Sequence, residues 1–108
     1  MSSGNIFTVT GLSNAGDMRA SSGLQSFMYL TPTIKQTSTA GYNGILLNVT
    51  ETTLGSGENN LLDLQVGGTS KFSVGNGGEV IMPSLPTSDP TNAGELWNNS
   101  GVLTVSAG

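Results

Sequence analysis

The sequence predicts an all-β chain. Apolar residues recur with a period of two rather than about 3.6, Gly-rich turn signals separate segments of strand length, and no long helical pattern occurs. Taken in order, Ile6 to Thr10 reads as a short strand, and Gly11 to Ser26, with Gly, Ser, Asn and Ala around Arg19, as loop or a weak helical turn. From Phe27 to Thr37, Met28, Leu30 and Ile34 alternate with Tyr29, Thr31, Thr33 and Lys35. Pro32 cannot donate to a ladder, which makes this an edge strand or one with unusual pairing. After a turn at Gly41 to Gly44, Ile45, Leu47 and Val49 alternate with Leu46, Asn48 and Thr50, and Gly55 to Asn60 supply the next turn.

The hairpin signal is clearest in the middle of the chain. Leu62, Leu64 and Val66 alternate with Leu61, Asp63 and Gln65, then Gly67-Gly68 leads into Thr69 to Val74, where Phe72 and Val74 alternate with Lys71 and Ser73. A two-residue Gly-Gly link suits a tight hairpin because Gly accepts the positive φ that primed turns demand. Gly75-Asn76-Gly77-Gly78 breaks the pattern before Glu79 to Met82, a short strand stopped by Pro83 and Pro86. Pro86 to Glu95 reads as loop. Leu96-Trp97-Asn98 and Val102 to Ser106 then flank Asn99-Ser100-Gly101 as a closing hairpin. Three regions follow: an irregular part with short strands over 1–40, a β module over 41–85, and a loop with a hairpin over 86–108.

Composition narrows the function. In 108 residues there are 16 Gly, 14 Ser, 13 Thr and 10 Asn, and only three basic against seven acidic residues, a net charge of -4. A chain so poor in Lys and Arg has no patch to neutralise a nucleic-acid backbone, so no nucleic-acid partner is expected. Without Cys or His it has no disulfide, no thiolate metal site, and neither the commonest general base nor the commonest zinc ligand. Most enzyme mechanisms are thereby lost. Apolar runs such as Ile45-Leu46-Leu47 are far too short to cross a bilayer, and Met1 to Asn5 has no secretory character, so neither membrane insertion nor export is expected.

The same arithmetic points to a partner chain. Leu, Ile, Val and Phe together number 26, enough to fold but thin for a self-sufficient core at this size. One face of each strand is apolar, and the other carries Thr, Ser, Asn and Gln with few charges. Another subunit can cover such faces without burying unpaired ions. Lys, the usual guard of open strand edges, is almost absent, so an assembly that pairs or hides its edges resolves the hazard of aggregation. The alternative is a small monomeric sandwich.

Candidate chemistry is sparse. The acids Asp17, Glu51, Glu58, Asp63, Glu79, Asp89 and Glu95 read as solvated surface; a glycosidase would need two of them facing across a cleft, and Asp63 with Glu51 is the pair to consider. Asp89-Pro90-Thr91-Asn92-Ala93-Gly94-Glu95 offers oxygen ligands but departs from the EF-hand pattern, and turn chemistry accounts for its residues. The Gly-rich stretches lack the P-loop ending and the dinucleotide spacing, and neither Lys35 nor Lys71 follows a Ser at the spacing of a Ser/Lys pair. No catalytic residue, metal ligand or cofactor is expected. Asn48-Val49-Thr50 and Asn98-Asn99-Ser100 match the glycosylation pattern, which chance produces in such a composition. Trp97 with Tyr29 and Tyr42 could form a sugar-stacking platform, although a lone Trp more commonly fills a subunit contact.

Two stretches resemble known modules. The run from Ala40-Gly41-Tyr42-Asn43-Gly44 through Ile45 to Thr52, Gly55-Ser56-Gly57 and Leu61 to Val74 resembles a module of bacteriophage tail-fibre and related virion proteins. Leu85 to Leu103, with Asp89-Pro90-Thr91-Asn92-Ala93-Gly94-Glu95-Leu96-Trp97-Asn98-Asn99-Ser100-Gly101, is similar to a segment common at the ends of phage structural proteins. The resemblance implies a homotrimer whose strands wrap a shared axis, with Leu62, Leu64, Val66, Phe72, Val74 and Val80 facing that axis. It also implies location in the virion, with docking on other virion proteins expected through the irregular N-terminal part; the hairpin around Trp97, which follows a Pro-rich loop, is expected at a tip or subunit contact, with Tyr42 and Tyr29 as further candidates for such a place. Such modules usually lie within longer chains, so the short length implies a short fibre or a capsid-decorating cement trimer rather than a long-reach fibre. A carbohydrate-binding adhesin module that recognises host surface glycans through Trp97, Tyr29 and Tyr42 is the alternative function.

Overall fold

The computed structural model describes residues 21–26 and 28–108. The expected strand at Ile6 to Thr10, Arg19 and most of the segment assigned to docking lie outside the described residues. The chain divides into two compact units, Met1–Tyr42 and Asn43–Gly108. All regular structure among the described residues is β, in antiparallel pairs, and lies in the second unit.

Five strands are formed: β1 (Asn60–Val66), β2 (Thr69–Gly75), β3 (Val80–Ile81), β4 (Leu96–Asn99) and β5 (Val102–Val105). The first three make a meander in the order β1-β2-β3, and β4 with β5 makes a separate hairpin. Gly67 and Gly68 join β1 to β2 with φ of 56° and 78°, the double positive φ that matches a primed turn to the twist of its strands. At the second hairpin Ser100 and Gly101 have φ of 53° and 93°. The expected three-residue link is therefore a two-residue turn, with Asn99 paired to Val102. Asn98 stabilises it by accepting the Gly101 N–H at 2.6 Å through Oδ1.

The register of β1 and β2 has two irregularities. Leu62, Asp63 and Leu64 face Val74, Ser73 and Phe72, but Gln65 faces Ser70, so Lys71 is the extra residue of a bulge; Leu61 is extra at the other end. The Lys71 bulge lets Phe72 stay opposite Leu64 while Ser70 stays opposite Gln65, which keeps an apolar and a polar face separate across a break in alternation.

Two sequence expectations fail. Residues 28–37 and 45–50 form no strand; they are exposed and lack ladder partners among the described residues. Alternation supplies the faces of a strand, but a strand exists only where a second edge takes its N–H and C=O groups. The Glu79 to Met82 strand contracts to two residues, Val80 and Ile81, bounded by the Asn76-Gly77 turn and Pro83.

Candidate functional site

The distribution of burial marks the surface of interest. Among the described residues no hydrophobic side chain is buried, whereas Ser73 and Ser106 are only 6% and 3% exposed. On one face of the meander, register brings Leu62, Val74 and Val80 into one row and Leu64 and Phe72 into the next. Leu64 is nevertheless 52% and Val66 70% exposed, while Phe72 and Val74 are half-buried. On the other face Asp63 pairs with Ser73 and Gln65 with Ser70, and Gln65 Nε2 donates to Asp63 Oδ2. The polar face is thus the better covered, the reverse of a self-contained sheet.

The hairpin also leaves one face open. Leu96 opposes Val105 and Asn98 opposes Leu103 on one face, with Leu103 and Val105 exposed. Trp97 opposes Thr104 on the other, half-buried, with its indole Nε1 shielded and without a hydrogen-bond partner in the described structure. A recess of about 250 Å³, lined by Val80, Met82, Leu85, Asn98, Gly101 and Leu103, joins the open face of the meander to that of the hairpin. Val80 of the meander and Leu103 of the hairpin thus line one recess.

The loop before β4 is fixed by turn chemistry. Asp89 Oδ1 accepts from the Thr91 N–H at 2.9 Å and from Ser106 Oγ at 2.6 Å. Ser106 Oγ in turn accepts the Gly108 N–H, and its backbone extends the hairpin ladder by exchanging bonds with Gly94 and Glu95. The Ser106 hydroxyl, followed by the Thr91 N–H, holds the Asp89 carboxyl below its ordinary pKa. Thr91 takes φ of 55°, a strained conformation for a β-branched residue. Asn92 Nδ2 donates to Glu95 Oε2 at 3.0 Å, and Asn98 N–H bonds Pro86 O at 2.8 Å along the outer edge of β4. The oxygen-rich residues of Asp89 to Glu95 therefore serve one another.

The remaining described acids divide between two recesses. Glu51 accepts from Asn76 Nδ2 and lines a recess with Val49 to Leu54 and Asn59 to Leu61. Glu58, Asp63 and Glu79 line a different one, of about 480 Å³. The two carboxylates weighed as a glycosidase pair thus line separate recesses. Among the described residues no group of three His, Cys, Asp or Glu side chains is placed to hold a metal ion. Tyr29 and Tyr42 are exposed and belong to the first unit, whereas Trp97 belongs to the second. The Asp89–Ser106 tie and the hairpin's apolar residues Leu96, Leu103 and Val105 went unmarked in the sequence. The period-two pattern across Val102 to Ser106 was the available signal for the latter.

In comparisons with known proteins, no family model matches the chain, and no curated protein or solved structure is detectably similar to it.

Proposed function

We propose that this chain is a non-enzymatic structural protein of a bacteriophage particle, a short homotrimeric fibre-type or capsid-decorating module. The observation that carries the assembly is the inverted burial. Two small antiparallel sheets, one of them a two-stranded hairpin that is marginal alone, leave Leu62, Leu64, Val66, Val80, Leu103 and Val105 exposed, with Val80 and Leu103 lining one recess. Copies meeting on that surface would supply the core that the single chain lacks, since burial of apolar area is the dominant favourable term in association. The virion setting rests on the resemblance of residues 40–74 and 85–103 to phage modules. In that reading the N-terminal part docks on other virion proteins, and the polar faces, with their few charges, look outward.

The glycan-binding alternative gains no support from the placement of its aromatic residues. Trp97 is half-buried within its own hairpin, in a different unit from Tyr29 and Tyr42.

The native mass of the purified chain at several concentrations, beside an unheated denaturing gel, tests the assembly. A trimer that persists in detergent is expected, and a stable monomer overturns the architecture. Antibody labelling of particles of the phage that encodes the chain tests the setting, and particles that carry none of it overturn that part.

A further inference from the structure

The sequence holds two Asn-Gly pairs, Asn43-Gly44 and Asn76-Gly77, and the structure places them in opposite circumstances. We propose that Asn43 is a site of spontaneous covalent modification in the folded protein, deamidation through a cyclic imide, and that Asn76 is protected from the same reaction.

In this chemistry the backbone nitrogen of the following residue attacks the Asn side-chain carbonyl carbon. The new N–Cγ bond forms, the Cγ–Nδ2 bond breaks, and ammonia leaves with the proton of the attacking amide. Water then adds to either carbonyl of the five-membered imide and yields aspartate or isoaspartate. No oxidant or other reactant is required. The step demands a backbone free to swing its amide onto the side chain, and Gly as the next residue removes the Cβ that would obstruct it.

Asn43 meets that demand. It opens the second compact unit, it and Gly44 are exposed, and neither makes a hydrogen bond with a described residue. Gly44 and Ile45 lie in a bend rather than a ladder. Asn76 does not. Its N–H bonds Asn59 O at 2.9 Å, and the Gly78 N–H bonds Gly75 O at 3.0 Å, closing a turn with Asn76 and Gly77 at its centre. Its side-chain amide is held at 3.0 and 3.3 Å by the two carboxylate oxygens of Glu51. At least one of these bonds must break before Gly77 N can reach Cγ, which slows the reaction about fivefold or more. At Asn43 the product places a new negative charge between Tyr42 and the apolar run Ile45 to Leu47. Its isoaspartate form also adds a methylene group to the backbone there.

The test is to age the folded full-length protein at mildly alkaline pH and map its peptides by mass spectrometry, with a urea-unfolded sample and the Glu51→Ala variant in parallel. Conversion at Asn43 is expected to exceed that at Asn76 in the folded protein, and the two rates should converge in urea. In Glu51→Ala the rate at Asn76 should rise while that at Asn43 stays unchanged. Equal or faster conversion of Asn76 in the folded protein, no detectable conversion at Asn43, or an unchanged Asn76 rate in Glu51→Ala would each overturn the proposal.

Discussion

Asp89 is one exposed carboxylate, yet it fastens the loop after Pro86 to the last residues of the hairpin through Thr91 and the buried Ser106. Its bonds favour the charged form, so its folded pKa lies below the ordinary 3.8. A group depressed in this way contributes stability that is fully present above its unfolded pKa and is lost as pH falls through the folded one. Asp89→Asn should therefore lower the melting temperature at neutral pH, and the gap between variant and parent should close as the pH drops below about 3.8. A gap that stays constant across that range would assign the effect to something other than the carboxylate charge. Ser106→Ala removes the largest cause of the depression, so the Asp89 pKa, followed by NMR titration, should move back toward its ordinary value. In the sequence the loop could be read as turn chemistry from Asp, Pro, Asn and Gly. Its anchor could not, because Ser106 is one of 14 serines and nothing local marks it as the partner of a residue so far upstream.

Both hairpins depend on residues that accept a left-handed backbone. Gly67 and Gly68 have positive φ, and a Cβ on either would meet no other atom within 4 Å, so substitution there tests conformation apart from packing. Gly68→Val should cost about 1–2 kcal/mol, the penalty of forcing a side chain into that region. Gly68→Asn should cost less because Asn tolerates it better. Chemical denaturation of the three proteins would rank them, and equal losses for Val and Asn would remove the turn's conformational demand as the cause. At this scale the sequence is most informative where pairing is local. Two glycines between two alternating runs specify β1, β2 and their register near the turn. The Lys71 bulge escapes, since it reconciles alternation on two strands and is marked on neither. Residues 28–37 and 45–50 carry equally good alternation without forming strands, because pairing requires an edge that the described part of the chain does not offer them.

Across the molecule, apolar side chains of β1, β2, β3 and the closing hairpin are left open by the single chain, and the proposed assembly would cover them. Leu64, Val66, Val80, Leu103 and Val105 are each more than half exposed, apolar surface of the kind that association buries. If copies bury it, a charge placed there must be desolvated on assembly without a partner, at a penalty of several kcal/mol per ion. Leu64→Glu combined with Val80→Glu should therefore convert the proposed trimer to monomer in light scattering, abolish the detergent-resistant band expected on an unheated gel, and leave an expanded chain. A control needs the same charge without the same face. Thr87→Glu supplies it, since Thr87 is exposed in the loop between Pro86 and Asp89, and its native mass should remain that of the parent. Raised salt should not rescue the double variant, because the deficit is lost apolar burial and desolvation rather than long-range repulsion that ions screen. Recovery of the trimer in salt would reassign the assembly to electrostatics, and a double variant that stays trimeric would place the subunit contact elsewhere on the chain.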